Sequence, residues 1–268
     1  MGEPLEPIKK LSYAQAAKKS LGQNFLVDPN IALKIIRCLE LKPQDRVLEI
    51  GPGQGALSFK ILDMNSRLAV IEKDFNLAQY LKACAPEISV IVMDALNFAW
   101  HKLAPGYSWK LIGNLPYNIA SPLIWNLLEA GNFFKKAVFT VQKEVAQRMV
   151  SNPGSKKYGA LSVWVQSFAI PKLEFSIGPQ VFRPRPKVDS AVISLEPLPR
   201  VQQFMHPQKL SNLLHLCFQQ RRKQLGNILK QRWTPAMSRC IDMQGLDLQI
   251  RPEQLTPQQF QELSLVVD

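Results

Sequence analysis

The chain has 268 residues, 46% of them hydrophobic, and a formal net charge of +12. That length suits one large domain with a small appendage and a core that needs no disulfide staple, while the excess of Lys and Arg makes polyanions, nucleic acid first, the expected partners. Four scattered cysteines without a CxxC pair, three isolated histidines and no long apolar run argue against a disulfide scaffold, a metal site and a membrane span, and point to a reducing, cytoplasmic setting.

Residues 1–19 are polar and basic, with Lys9, Lys10, Lys18 and Lys19, and read as an arm with little to pack and no signal-peptide core. SLGQNFLVD (20–28) leads into an apolar helical run at 30–39, with Pro29 suited to its first turn. In VLEIGPGQGA (47–56) an apolar strand then runs straight into Gly51, Gly53 and Gly55, which reads as the first strand of an α/β sheet turning sharply into a helix at 56–64 and letting a ligand approach the backbone. The spacing also fits the dinucleotide pattern, with Ala56 in the last small position and the acidic Glu72 at the expected distance. Pro52 leans the reading toward S-adenosylmethionine, because a phosphate cradle works through backbone N–H groups and a proline removes one of them.

Beyond this turn, apolar strands recur about twenty residues apart, at 68–72, 89–93, 109–113 and 137–142, with helices at 75–83 and 122–130, the rhythm of βα units. Two further runs, 161–168 and 190–195, have no long helical stretch between them and are expected to be strands closing the sheet as a hairpin-like edge. Pro197 and Pro199 mark a linker, after which the pattern is helical only: 207–229, 235–243 and 257–263, the last opened by Thr256 with Gln259 completing a capping box. The expected organisation is a basic arm over 1–19, an α/β domain over 20–199 and a small all-α domain over 200–268.

Ligands of an open α/β sheet sit beyond the carboxyl ends of its strands, which is where Gly51, Glu72, Asp94 and Asn114 fall. A carboxylate at Glu72 suits the two hydroxyls of a ribose, and Asp94 suits an exocyclic adenine amine. NLPY (114–117) offers the Asn114 side-chain oxygen and the Leu115 carbonyl as two acceptors for one amino group, with the Tyr117 ring to stack on a flat base. Accepting both hydrogens of a conjugated amine localises its lone pair and makes it nucleophilic, so no strong base is needed. Stacking needs the ring of Tyr117 and not its hydroxyl, so a phenylalanine should serve there. FRPRPKVDS (182–190) adds Phe182 as a candidate for the other face of the base, a stiff loop with a core phenylalanine being nearly as acceptable, and Arg183, Arg185 and Lys187 for phosphates. Further cationic blocks, Lys135 and Lys136, Lys156 and Lys157, and Arg221, Arg222 and Lys223, suggest a surface that tracks RNA. A nicotinamide-dependent oxidoreductase would account for the glycines alone, and a non-catalytic RNA-binding assembly factor for the charge alone.

SLGQNFL, EIGPGQG, VIEKD, NLPYNI, QKEV, KYGALSV, FRPRPKVDS and RPEQLT, in this order from about residue 20 to the end, resemble the S-adenosylmethionine-dependent ribosomal RNA adenine N6,N6-dimethyltransferases. The resemblance implies a Rossmann-like class I methyltransferase domain with a small C-terminal helical RNA-binding domain. It implies contacts from Asn24, Leu26, Gly51, Glu72, Asp94 and Asn114 to the cofactor, and from Asn114, Leu115, Tyr117 and Phe182 to the target adenine. NLPY and RPEQLTPQQFQEL are most similar to the branch that dimethylates two adjacent adenosines in the 3′-terminal hairpin loop of 16S RNA on an immature small subunit, with no metal, no membrane and a monomeric protein. The branch acting on large-subunit RNA, of the erythromycin-resistance type, is the alternative within the family. The segment ahead of SLGQNFL is longer and richer in proline than the family's pattern.

Overall fold

The structure, a computed structural model, describes residues 17–64, 66–103, 109–131, 133–199 and 202–267. Most of the arm expected over 1–19 therefore lies outside the described residues. The chain divides into two compact units. The first holds the described residues up to Leu123, with Phe133–Lys143 and Glu174–Ser194; the second holds Ile124–Asn132, Glu144–Leu173 and the chain from Leu195 onward.

The first unit opens with a short strand, β1 (Phe25–Leu26), and helix α1 (Pro29–Cys38). Asp28 caps α1 by accepting from the Asn30 and Ile31 amides at 2.8 and 3.1 Å, and Pro29 occupies the first turn, where no amide is needed. Ala32, Ile35, Ile36 and Leu39 recur at helical spacing and are all buried, so the apolar stripe read from the sequence is the face that packs. There follow β2 (Arg46–Ile50), α2 (Ser58–Leu62), β3 (Arg67–Glu72), α3 (Phe75–Cys84), β4 (Ser89–Val92), β5 (Trp109–Asn114), α4 (Ala120–Glu129) and β6 (Phe134–Gln142). The β2–β3, β3–β4, β2–β5 and β5–β6 pairs are parallel. The central residues of these strands, among them Val47, Leu48, Val70, Ile71, Leu111, Ile112, Val138 and Phe139, are apolar and buried, as in a parallel sheet covered on both faces, while the edge strand β4 is partly exposed.

The chain continues through α5 (Lys143–Met149), α6 (Ala160–Phe168), β7 (Ala169–Ile177), β8 (Phe182–Arg183) and β9 (Ser190–Pro197). The seven-stranded sheet has the order β4-β3-β2-β5-β6-β9-β7, and β1 pairs with β8 in a separate ribbon. From β2 the chain builds outward through β3 and β4, then returns to place β5 on the opposite side. The order thus reverses between β2 and β5, and in such sheets the crevice beyond the carboxyl ends of those two strands is the binding site.

One expected strand is corrected. The run 161–168 is the helix α6, whose Ser162, Val163, Trp164, Val165, Ser167 and Phe168 are buried. A short segment apolar on nearly all sides cannot be told from a buried strand by periodicity. The strand that does neighbour β9, β7, begins directly after this helix and carries Pro171, which is tolerated because β7 is the last strand of its sheet and has an unpaired side.

In the second unit, α7 (Pro207–Gln219), α8 (Leu225–Leu229), α9 (Pro235–Met243) and α10 (Pro257–Val266) follow the linker, and α10 packs on α6, α7 and α9. The single helix expected over 207–229 is broken between α7 and α8. The Leu225 and Gly226 amides donate to the Ile250 and Leu248 carbonyls at 2.8 and 3.0 Å, partners that lie far along the chain and leave no local signal. The Thr256 capping box is present, with Gln259 N to Thr256 Oγ1 at 3.2 Å and Thr256 N to Gln259 Oε1 at 2.9 Å. Trp125 and Trp164 stack in this unit, 4.1 Å between ring centroids and 5° from parallel. No described helix is long and apolar enough to cross a membrane.

Candidate active site

A cleft in the first unit lies at the switch between β2 and β5 and is lined by Asn24, Gly51, Glu72, Asp94, Asn114 and Tyr117, among others. The three glycines of the turn after β2 all have positive φ, +66°, +57° and +80°. A side chain at Gly53 would strike the Phe25 ring at 2.9 Å, and one at Gly55 would strike Phe59 at 2.5 Å, so these two serve packing. A Cβ on Gly51 would meet nothing within 4 Å. Gly51 itself lines the cleft, so its bare backbone keeps that space open to a ligand.

Glu72, at the end of β3, is 6% exposed. Its two oxygens accept from the Gly53 and Asp74 amides at 3.1 and 2.8 Å, which fixes the carboxylate toward the cleft while leaving each oxygen a second lone pair. Burial pushes its pKa up, against the pull of those amides. Asp94 caps the short 3-10 turn Ala95–Asn97 through Oδ1, which accepts from Leu96 N at 3.0 Å, and pairs with Lys73 through Oδ2 at 2.8 Å. The Lys73 hydrogen bond, then that amide, hold its carboxyl below the usual range. The buried Glu72 carboxylate, the Asp94 carboxylate and the open backbone at Gly51 line one cleft, a lining that would suit an adenosine-bearing cofactor.

On the β5 side, the Asn114 side chain donates from Nδ2 to the Asn24 carbonyl at 2.8 Å. A carbonyl oxygen can only accept, so the amide nitrogen must face it and the amide oxygen is left for another donor. This bond joins two segments 90 residues apart and brings the SLGQNFL stretch to NLPY. Leu115 is 1% exposed, and its amide donates to the Thr140 carbonyl on β6 at 3.1 Å. The Tyr117 hydroxyl is 2.6 Å from Ser190 Oγ. Burial raises the phenol's pKa, so it keeps its proton at neutral pH and is no general base. The hydroxyl is thus engaged in a contact that a phenylalanine would lose.

Phe182 is a correction. Its ring is 1% exposed, in β8 opposite Leu26, within a core cluster that includes Ile36, Val138 and Val192. It fills the core and is not among the residues lining the cleft, whereas Tyr117 is. Leu26, on β1, contributes to both the core and the cleft wall.

Sequence reasoning passed over Glu49. It stands two residues ahead of Gly51, lines the cleft and is 1% exposed. Ser58 Oγ donates to its Oε2 at 2.6 Å, and burial pushes its pKa up to about 8. An acidic residue inside an otherwise apolar strand was the available signal. Also unforeseen was Asp74, which caps α3 and receives Lys18 Nζ at 2.8 Å and Gln23 Nε2 at 3.5 Å, tying the start of SLGQNFL to the rim of the site.

The cationic blocks sort by burial. Arg183, Arg185 and Lys187 are exposed, as are Lys156, Lys157, Arg222 and Lys223. Lys136 is 8% exposed and pairs with Glu40 at 2.6 Å, so only Lys135 of that block faces solvent. Arg221 pairs with Glu253 and donates to the Lys156 carbonyl. Among the described residues no group of three His, Cys, Asp or Glu side chains could hold a metal ion.

A sheet reversing between β2 and β5, a glycine turn on one side of the reversal and an acidic residue ending the next strand define a Rossmann-like class I methyltransferase domain, a fold that implies S-adenosylmethionine. The family model for ribosomal RNA adenine dimethylase matches residues 14–267. The chain belongs to the ribosomal RNA adenine dimethylase family and is an rRNA adenine methyltransferase. It is 49% identical over 265 residues to the ribosomal RNA small subunit methyltransferase A of Oleidesulfovibrio alaskensis, covering 97% of this chain and 94% of that one. To the protein of the same description from Maridesulfovibrio salexigens it is 50% identical over 248 residues, covering 92% and 94%. Among solved structures, a dimethyladenosine transferase from Plasmodium falciparum matches with a TM-score of 0.76 at 28% identity, over 89% of this chain and 95% of that one. The 23S rRNA methyltransferase ErmE matches with a TM-score of 0.64 at 25% identity, over 91% and 100%. The nicotinamide-dependent and non-catalytic alternatives are thereby set aside.

Proposed function

We propose that this protein dimethylates N6 of two adjacent adenosines in the 3′-terminal hairpin loop of 16S RNA, on immature small subunits in the cytoplasm, as a monomer. The observation that carries the reading is the pinned Asn114 amide at the switch point, an acceptor held ready beside the glycine turn. The small-subunit description shared by the two bacterial relatives supports the choice of RNA.

Gly51, Glu72 and Asp94, with the Asn24–Leu26 segment, would hold the cofactor. When bound, S-adenosylmethionine supplies an electrophilic methyl group on a sulfonium sulfur. Asn114 Oδ1 and the Leu115 carbonyl would accept the two hydrogens of the adenine amine, drawing its lone pair out of the ring, while the Tyr117 ring supports the base. Positioning contributes most of the acceleration, since no side chain of the tetrapeptide is a base at neutral pH. The exposed cations of the 183–187 loop and of the helical region 200–268 would track the RNA phosphates.

The test is incubation with labelled S-adenosylmethionine and unmethylated small subunits, mature large subunits or DNA. Label in the small-subunit RNA alone is expected. Label in the large-subunit RNA would favour the erythromycin-resistance branch, and label in DNA would overturn the assignment of substrate.

A further inference from the structure

Resting on the reading that Tyr117 holds the target base, we propose that Ser190 is the positioning residue that fixes the long axis of that ring. Tyr117 belongs to the loop between β5 and α4, and a loop aromatic tethered only at its Cα would sample several rotamers. Here its hydroxyl is tethered too, 2.6 Å from Ser190 Oγ. Fixing both the Cα and the far oxygen of a tyrosine defines the long axis of the ring, which leaves rotation about that axis as its main freedom.

Ser190 can act as an anchor because it belongs to the frame. It is fully buried at the first position of β9, and β9 neighbours β6 in the sheet. The residue before it is tied twice to Lys143, which directly follows β6 and opens α5. The Lys143 amide donates to the Asp189 carbonyl at 3.0 Å, and the Lys143 ammonium meets the Asp189 carboxylate at 3.3 Å. At the other end of the tetrapeptide, the Leu115 amide is held by the Thr140 carbonyl of β6. The acceptor pair and the stacking ring are thus both referenced to β6 and its neighbour, and the support for the base is preorganised before any base arrives. Ser190 also directly follows the exposed Arg183, Arg185 and Lys187 loop, so the same segment carries candidate phosphate contacts and the anchor of the ring.

Ser190→Ala and Tyr117→Phe remove the same hydrogen bond from opposite sides. Each should slow single-turnover methyl transfer to unmethylated small subunits by about three- to ten-fold, the range for one neutral hydrogen bond, and the double variant should be no slower than either alone. Cofactor affinity should not move. RNA carrying 2-aminopurine at the target position should show less quenching with either variant, a readout of ring placement that a merely structural serine would leave unchanged. Wild-type rate in Ser190→Ala, or losses that multiply in the double variant, would overturn the proposal. Tyr117→Ala separates the two levels of the argument. Damage there with none in Ser190→Ala removes the anchor alone, whereas wild-type turnover in Tyr117→Ala removes the base-holding reading and the anchor with it.

Discussion

Losing Asn114 should affect turnover far more than binding, and the structure sets the two magnitudes apart. Its Nδ2 donates to the Asn24 carbonyl at 2.8 Å, so Asn114→Ala deletes both that tether and the oxygen it orients. The tether is a neutral hydrogen bond of about 0.5–1.5 kcal/mol, and the same loss applied to RNA binding would weaken it by no more than about ten-fold. The oxygen acts differently. The amine nitrogen gains positive charge as the methyl transfers, so an acceptor fixed against its hydrogens gains strength in the transition state, and losing one such preorganised contact costs about 10²–10³ in rate. Asn114→Asp is the sharper perturbation. It keeps the shape but sets a carboxylate oxygen against the Asn24 carbonyl, so the side chain must turn away or take up a proton, and the rate should fall by at least about ten-fold despite the isosteric change. Single-turnover transfer at saturating cofactor, measured beside equilibrium RNA binding and thermal unfolding, reads all three quantities. Wild-type turnover in Asn114→Ala, or a rate loss matched by an equal loss of RNA affinity, would refute activation by this residue.

The Glu49 carboxyl sits at about 8 in the fold against an ordinary 4.5, so the folded protein holds a proton that the unfolded chain releases in that window. Stability should therefore fall as pH rises between those values, by at most about 1.4 kcal/mol per unit, and urea unfolding of Glu49→Gln should show a shallower decline; parallel curves would contradict the burial argument. Phe182→Ala should lower unfolding stability by about 3–5 kcal/mol, as expected for a core phenylalanine, and Phe182→Leu by much less. Undiminished stability with lost RNA binding would instead return that ring to the cleft. Neutralising the exposed Arg222 and Lys223 together should flatten the salt dependence of RNA binding by about 0.7–0.9 log units per lost phosphate contact, and an unchanged slope would show that the pair faces only solvent.

Features encoded over a few residues were legible in the sequence. The glycine turn, the helix start at Pro29, the Thr256 cap and the succession of βα units depend on backbone freedom, missing or free amides and apolar spacing, all local properties, and they appear where the residues put them. NLPY was legible for the same reason, as an asparagine and a proline-fixed turn at the end of an apolar strand. Tertiary structure alone decided questions that the same local pattern leaves open. The run 161–168 is a helix enclosed on nearly all sides, and burial of that kind removes the periodicity that separates helix from strand. Phe182 went to the core and Lys136 turned inward to Glu40, because whether an aromatic or a cation meets solvent depends on what packs over it. The details of the site were decided in the same way. The Asn114–Asn24 and Tyr117–Ser190 contacts join residues 90 and 73 positions apart, and no local pattern announces either, because each exists only once distant segments have packed together.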